Sequence, residues 1–180
     1  MRRARMTPSV MRVLATSALL LLVACSSGSS RDEGSTPAGI EGGIMYGQSG
    51  MDFVLENFAV FRNRTESAPV NPEAVRFLRD LRERVTIKVF LGTWCRDAEL
   101  HVPVLFKALQ RADNDRIEVQ VIALDRRKMD RDGLVDRYQI AYTPTFVVEH
   151  DGFEIGRIVE TPTADAAQDI VAILQNNLGR

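Results

Sequence analysis

The sequence has few cysteines and few histidines, which limits the disulfide bonds and metal sites that it can form. Its 180 residues include only two cysteines, Cys25 and Cys95, which excludes a disulfide-rich scaffold. The two histidines, His101 and His150, do not have the spacing of zinc ligands with Cys95. Glycine-rich phosphate loops and the G-x-S-x-G nucleophile motif are also absent from the sequence. The sequence therefore predicts no metal site and no cofactor.

The sequence also lacks an excess of basic charge. Its 23 Lys and Arg residues are balanced by 24 Asp and Glu residues, which gives a formal net charge of −1. Proteins that bind nucleic acid generally carry a basic surface, so this balance argues against a nucleic-acid partner. The chain is 45% hydrophobic, and its length suits one globular domain with a tail. We expect that domain to be a monomer.

The chain begins with a segment typical of export signals. Four arginines precede an apolar run over 13–24, which is shorter than the roughly 20 residues that span a bilayer. This order is typical of a secretory signal peptide. The run ends in Leu22-Val23-Ala24-Cys25, which resembles the bacterial lipobox. The resemblance implies cleavage before Cys25 and a lipid on its thiol. The alternative is an ordinary secretory signal in which Cys25 is incidental.

These features divide the chain into four segments. Residues 1–24 are predicted as a lipoprotein signal peptide, and the Ser/Gly-rich residues 25–40 as a flexible tether. Residues 41–84 are predicted as an N-terminal helical extension, and 85–180 as the main domain. Removal of the signal leaves 19 basic and 24 acidic residues, so membrane attachment would depend on the lipid. We expect a bacterial cell-envelope protein. By analogy with lipoprotein sorting, Ser26 favours the outer membrane, facing the periplasm, where the organism has one.

From residue 51 onward, helical and strand patterns alternate. Asn71 can cap a helix whose first turn contains Pro72, and the pair Asp151-Gly152 between apolar runs is a hairpin signal. The alternation predicts an α/β fold: a central mixed sheet of parallel strands and one antiparallel hairpin, flanked by helices. The predicted helices cover 51–62, 72–84, 96–111, 133–138 and 165–178, and the predicted strands cover 86–91, 117–124, 145–149 and 154–159.

Cys95 is the candidate nucleophile. It lies between the predicted strand 86–91 and the predicted helix 96–111. A helix N-terminus offers free backbone N–H groups and the positive end of the helix dipole, both of which favour a thiolate. Arg96 adds a nearby cation.

Four features of the sequence resemble the thioredoxin superfamily over residues 85–178. A strand leads into Trp94-Cys95, a proline lies eight residues beyond the cysteine, Thr143-Pro144 precedes a strand, and a hairpin and a helix close the chain. The tethered lipoprotein arrangement is most similar to envelope thiol-disulfide oxidoreductases. The resemblance implies a thioredoxin-like fold in which a cis-proline motif faces the cysteine and the Thr143 backbone is offered to an extended substrate. It also implies a protein or a low-molecular-weight thiol or disulfide as the substrate.

The sequence departs from the thioredoxin pattern at the second cysteine. Where a standard thioredoxin has Cys-x-x-Cys, residues 95–98 are Cys-Arg-Asp-Ala, and Val89 occupies the position of the family's buried acid. With Cys25 lipidated, Cys95 would act as a lone nucleophile whose mixed disulfide an external thiol must resolve. Two further possibilities are a long-lived mixed disulfide, and oxidation of Cys95 that a separate system reverses.

Two other classes of function remain open. One is a non-catalytic module that binds a peptide in the groove beside Pro144. The other is a structural envelope protein in which the fold is only a scaffold. Substitution of Cys95 separates thiol chemistry from peptide binding, because only the first needs the sulfur.

The remaining candidate residues have alternative interpretations. Trp94 either covers the thiol and contacts partners or only packs. Asp97 either caps the helix, which we favour, or tunes Cys95. The Thr143-Pro144 pair either shapes the site, which we favour, or is a turn that only shapes the fold. We expect His101 to be structural or solvent-facing. The charged run from Asp125 to Asp132 is predicted as a solvated loop rather than an anion site.

Overall fold

The computed structural model describes residues 34–179. The predicted signal peptide, the lipidation site at Cys25 and the first part of the predicted tether lie outside the described residues. Within 34–179, no helix combines the length and the apolar character needed to cross a membrane.

The described chain contains short N-terminal strands followed by alternating helices and longer strands. In chain order, the elements are β1 (Gly39–Glu41), β2 (Ile44–Tyr46), β3 (Gln48–Ser49), α1 (Met51–Asn57), α2 (Ala59–Ser67), α3 (Pro72–Asp80), β4 (Val85–Leu91), α4 (Arg96–Ala112), β5 (Ile117–Ala123), α5 (Leu134–Arg137), β6 (Thr145–His150), β7 (Phe153–Val159) and α6 (Ala166–Leu178).

β4 is the central strand of a five-stranded mixed sheet, in the order β3-β5-β4-β6-β7. It pairs parallel with β5 and antiparallel with β6, so Val89 lies opposite Val121 on one side and Phe146 on the other. β3 and β7 are antiparallel edge strands, and β1 and β2 form a separate hairpin. This arrangement confirms the predicted α/β fold, with a central mixed sheet flanked by helices.

Local sequence signals set several of the element boundaries. The side-chain oxygen of Asn71 accepts two backbone N–H groups at the start of α3, and Asp165 does the same at the start of α6. Such caps satisfy N–H groups that have no partner within the helix. Asp151 and Gly152 both have positive φ angles, 50° and 78°, as a tight two-residue hairpin turn requires. The predicted cap at Asn71 and the predicted turn are both confirmed.

Most of the core lies on one face of the sheet. Ile87, Val89 and Leu91 of β4 belong to a buried cluster with side chains from α1 to α4 and α6. Phe90 belongs to a second, smaller cluster that also contains side chains of α5. Because side chains alternate along a strand, β4 is buried on both faces, which agrees with its almost wholly apolar sequence.

The face that carries Phe90 also holds a buried charge. Lys88 is 7% exposed, and its Nζ atom lies 3.3 Å from a carboxylate oxygen of Glu149 in β6. The same ammonium donates to the side-chain oxygen of Gln120 in β5 at 2.6 Å. Tyr138 donates its hydroxyl to Glu149 at 2.7 Å. Polar side chains therefore link the three middle strands of the sheet.

The structure differs from the sequence prediction between residues 51 and 67. The single helix predicted over 51–62 is two helices, α1 and α2, separated at Phe58, whose backbone is extended (φ −121°, ψ 98°). α1 packs beside β3 and β5, whereas α2 packs along α4. The chain turns at Phe58 because different partners bury the two halves, and helical spacing alone does not reveal those partners.

The N-terminal boundary also differs from the prediction. Composition predicts a flexible tether up to residue 40, but the N–H and the hydroxyl of Thr36 both donate to the Asp132 carboxylate. The predicted helical extension over 41–84 begins with strands rather than a helix. The signal that was missed is Gly42-Gly43, whose positive φ angles form the turn between β1 and β2.

Candidate functional site

Cys95 lies where the end of β4 passes into α4. We call residues 92–95 the cysteine loop. The Cys95 N–H donates to the Gly92 carbonyl oxygen at 2.9 Å, and Cys95 is the N-cap residue of α4. Its extended backbone (φ −91°, ψ 123°) carries the chain from the loop into a helix of 17 residues. The thiol group therefore lies at the start of a long helix, and it makes no capping hydrogen bond with the N–H groups there.

The Thr143-Pro144 pair lies directly against the Cys95 thiol. Its peptide bond is cis, and Cys95 Sγ donates to the Thr143 carbonyl oxygen at 3.2 Å. The Thr143 hydroxyl accepts the Gly92 N–H at 3.1 Å and also donates to the Phe90 carbonyl oxygen at 3.4 Å. These contacts join two segments that are about 50 residues apart in the sequence, and leave Cys95 8% exposed.

Trp94 is held in place by the cysteine loop and by the end of β5. Its indole N–H donates to the Leu124 carbonyl oxygen at 3.0 Å, and the side chain is half-buried. A Cβ atom at Gly92 would lie 2.6 Å from the indole ring, so only glycine lets the ring pack this closely. The guanidinium of Arg126 lies 5.9 Å from the ring centroid. Trp94 therefore packs against the loop while it keeps part of its surface in solvent.

The N-terminal strands contribute a contact that sequence reasoning missed. The Met45 N–H of β2 donates to the Thr93 hydroxyl of the cysteine loop at 3.1 Å. Met45 itself is 1% exposed and belongs to the main core. Part of the predicted helical extension is thus a strand, β2, that hydrogen-bonds to the cysteine loop. The Gly-Gly turn between β1 and β2 is the sequence signal that could have located it.

The first turn of α4 corrects the prediction for Asp97. Asp97 does not cap this helix, because the N-cap residue is Cys95 and no side chain makes a capping hydrogen bond there. The backbone turn of the cysteine loop starts the helix at Arg96, which places Asp97 inside the first turn. There its carboxylate complements the positive end of the helix dipole. Arg96 is exposed, and His101 is half-buried further along α4.

The position of a second cysteine is filled by a buried methyl group. Ala98 lies three residues beyond Cys95 in α4 and has no exposed surface. Val89, at the position of the family's buried acid, is also fully buried in β4. Cys95 is the free cysteine of the described chain.

The charged loop, residues 125–132, is more ordered than a freely solvated segment. The Asp125 carboxylate accepts the N–H groups of Arg127 and Met129 at 2.8 and 3.0 Å. The Met129 N–H is the main cause that lowers the pKa of Asp125; burial opposes this, and Arg127 adds to it. Asp130 accepts three backbone N–H groups at the start of α5.

Asp132 closes the same loop against the N-terminal segment. It accepts from Thr36 and from the side chain of Gln48. Burial would raise the pKa of Asp132, but the hydrogen bonds from Thr36 and Gln48 outweigh burial, so the pKa is lowered. All three aspartates of the charged loop therefore accept hydrogen bonds from the protein.

Among residues 34–179, no group of His, Cys, Asp and Glu side chains could hold a metal ion.

Comparison with known proteins agrees with this geometry. A family model described as thioredoxin matches residues 51–175, which is more than half of the chain. A protein of unknown function from Pseudomonas aeruginosa is 23% identical, with a TM-score of 0.52 over 66% of this chain and 81% of that chain. An HIV epitope-scaffold has the same identity and TM-score over 66% and 82% of the two chains.

A mutant thioredoxin from Halobacterium salinarum is 17% identical, with a TM-score of 0.39 over 52% of this chain and 74% of that chain. No curated protein matches. At these identities, the two neighbours with TM-scores above 0.5 show the shared fold. The family match over residues 51–175 shows that the chain belongs to the thioredoxin family.

Proposed function

We propose that this protein performs thiol-disulfide exchange through Cys95 as a lone nucleophile. Membership of the thioredoxin family supports a redox or thiol-handling role in general. The observation that carries the specific proposal is the position of the Cys95 thiol. It lies at the N-terminus of α4 and 3.2 Å from the Thr143 carbonyl oxygen.

The reaction needs two steps because residues 34–179 contain no cysteine besides Cys95. In the first step, the Cys95 thiolate attacks one sulfur of a disulfide. A new S–S bond forms to Cys95, the substrate S–S bond breaks, and the other sulfur leaves as a thiolate. The Cys95 proton passes to solvent. In the second step, an external thiol attacks the mixed disulfide, is itself oxidised to a disulfide with the substrate sulfur, and returns Cys95 to its reduced form. The buried methyl group of Ala98 supports the need for that external thiol.

The test uses the full chain in detergent with Cys25→Ser, so that Cys95 is the only thiol. With glutathione disulfide, the folded protein is expected to gain one glutathionyl group by mass spectrometry and to lose it when free glutathione is added in excess. Cys95→Ser in the same background is the matched control and should gain none. Modification of Cys95 only in denaturant would contradict the proposal.

A second candidate function is peptide binding without chemistry. It is favoured by the low exposure of Cys95, 8%, and by the apolar residue at the resolving position. If this alternative holds, Cys95→Ser should keep the affinity for a captured peptide. Loss of that complex with Cys95→Ser would favour exchange chemistry instead.

We further propose that the protein is attached to the bacterial envelope by a lipid on Cys25. The support is the sequence order of basic head, short apolar run and lipobox-like Leu-Val-Ala-Cys before a Ser/Gly-rich segment. Where the organism has an outer membrane, Ser26 favours sorting of the lipoprotein to that membrane, with the domain facing the periplasm.

A further inference from the structure

The charged loop lies beside both halves of the candidate site. Immediately before the loop, the Leu124 carbonyl oxygen accepts the indole N–H of Trp94, which precedes Cys95. Further along, Lys128 Nζ donates to the Ala141 carbonyl oxygen at 3.2 Å, close to the cis-proline segment. A single loop therefore touches the cysteine side of the site and the proline side.

The loop places one cation on each of these two sides. The Arg126 guanidinium lies 5.9 Å from the Trp94 ring centroid, and Lys128 Nζ lies 5.1 Å from the Tyr142 ring centroid. Both separations lie in the range of cation–π contacts. Trp94 precedes Cys95 and Tyr142 precedes Thr143, so each positive charge lies against an aromatic ring next to one of the two residues that meet at the site.

The negative charges of the loop are committed elsewhere. Asp125 and Asp130 accept backbone N–H groups, and Asp132 accepts from Thr36 and Gln48. Within residues 34–179, the ion pairs of the structure do not include Arg126 or Lys128. These hydrogen bonds leave the carboxylates charged but hold them against the backbone, Thr36 and Gln48, whereas Arg126 and Lys128 lie against the two aromatic rings of the site.

The backbone of Lys128 adopts a conformation that usually favours glycine. Its φ angle is 63°, in the left-handed region where a residue with a Cβ is disfavoured and glycine is the usual choice. A lysine at such a position keeps a charge where glycine would relieve the backbone.

We propose that Arg126 and Lys128 select an acidic peptide segment, with carboxylates on both sides of its cysteine, as the partner of Cys95. The inference rests on the proposed function for the thiol step, and on the two cations for selectivity. The chain as a whole has a net charge of −1, so two cations beside this site are not expected from the overall composition. Tyr142, which is 49% exposed, and Met129, which is 44% exposed, add apolar surface beside the cations for a peptide to contact.

The kinetic test uses three short peptides that differ only in the residues around one cysteine: glutamate, glutamine or lysine. Each cysteine is joined by a disulfide to 2-nitro-5-thiobenzoate. The Cys95 thiolate attacks the peptide sulfur, an S–S bond to Cys95 forms, and the aryl thiolate leaves and is measured by its absorbance. The glutamate peptide is expected to react about fivefold faster than the glutamine peptide, and the advantage should fall as salt is added. The full chain with Cys25→Ser is used throughout.

Substitutions in the loop separate local recognition from general charge. Arg126→Gln and Lys128→Gln are each expected to lower the ratio of glutamate-peptide to glutamine-peptide rates by about twofold. Arg127→Gln is the matched control, because it removes the same charge from a side chain that is 86% exposed and contacts Asp125. The Arg127→Gln ratio should match the parent protein. Lys128→Gly removes the charge and relieves the backbone, so it should lower the ratio without lowering the melting temperature.

A binding measurement keeps this inference separate from the thiol proposal. Trp94 is the only tryptophan in the sequence and reports on the site by fluorescence. Cys95→Ser is titrated with the same peptides carrying serine in place of cysteine. Preference for the glutamate peptide in this titration, together with no release of the aryl thiolate by the Cys95 protein in the kinetic test, would overturn the thiol proposal and support this inference. Equal binding of the glutamate and glutamine peptides, or an equal loss in Arg127→Gln and Lys128→Gln, would overturn the inference.

Discussion

Single residues in the cysteine loop control how its side chains pack. Gly92 matters for the space it leaves rather than for an unusual backbone angle, because the Trp94 ring occupies the position where a Cβ would lie. Its N–H also donates to the Thr143 hydroxyl. One small residue thus serves the indole ring on one side and the cis-proline segment on the other.

Gly92→Ala is expected to displace the Trp94 ring and weaken the indole hydrogen bond to Leu124. Overpacking of this kind costs about 1–3 kcal/mol in the free energy of unfolding, which urea titration measures. The emission of Trp94 should shift at the same time. Gly50→Ala is the control, because a Cβ at Gly50 meets no atom within 4 Å. An unchanged Trp94 emission in Gly92→Ala would contradict the predicted displacement of the ring.

At the scale of elements, the buried polar contacts between β4, β5 and β6 depend on charge balance. Glu149→Gln is expected to lower the free energy of unfolding by about 3 kcal/mol, because Lys88 would keep its buried charge without a counter-charge. Adding Lys88→Met to that variant should recover part of the loss. The control is Glu154→Gln, whose partner Arg157 and own side chain are about one-third exposed, with a cost below about 1 kcal/mol. Equal losses in the two glutamine variants would contradict this account.

The N-terminal strands are joined to the charged loop through Asp132, so their attachment depends on pH. The lowered pKa of Asp132 means that its charged form contributes stability above the ordinary aspartate value of about 3.9. That contribution is lost as the pH falls through the lowered folded value. The protection of residues 36–49 against hydrogen exchange, relative to the intrinsic rate at each pH, is therefore expected to fall more than that of β4 at acid pH.

Asp132→Ala should lower the free energy of local opening of residues 36–49 by about 1–2 kcal/mol at pH 7, so these residues exchange faster. In this variant, their protection should no longer depend on the protonation of residue 132. Asp136→Ala is the control, because it removes an exposed carboxylate from α5. It should leave the exchange of residues 36–49 unchanged. Protection of residues 36–49 that is the same in Asp132→Ala and the parent would exclude this role for the carboxylate.

At the scale of the whole molecule, local signals predicted the later part of the fold well. Apolar runs located β4 to β7, Asn71 and Asp165 located helix starts, and Asp151-Gly152 located the final hairpin. Each of these features depends on residues that are adjacent in sequence. The cis geometry of Thr143-Pro144 and its position against Cys95 came from family resemblance, because nothing local places that pair beside the thiol.

The features that were missed depend on contacts between distant residues. β3 exists because β5 offers an edge some 70 residues later, as in the pairing of Gln48 with Ile122. The break at Phe58 depends on packing against α4. The orientation of the charged loop depends on Thr36 and on the start of α5, so composition alone predicted solvation. Asp97 was expected to cap because the residue type is suitable, but the backbone of the cysteine loop sets the helix start.

The proposed lipid anchor is tested on the whole protein in a bacterial host. Growth with an alkyne-labelled fatty acid is expected to label the parent chain and not Cys25→Ser. Cys95→Ser is the matched control and should be labelled like the parent. Fatty-acid label on Cys25→Ser would rule out the anchor at that residue.

The hydrogen bonds between Thr36 and Asp132 also limit how far the domain can range. With the lipid on Cys25, 10 residues separate the anchor from Thr36, whose hydroxyl donates to Asp132 of the domain. Even fully extended, this length of chain spans at most about 40 Å, close to one domain width. The proposed anchor would therefore keep Cys95 within about one tether length plus one domain width of the bilayer. The disulfides within its reach would then belong to neighbours in the same membrane or to molecules that come to its surface.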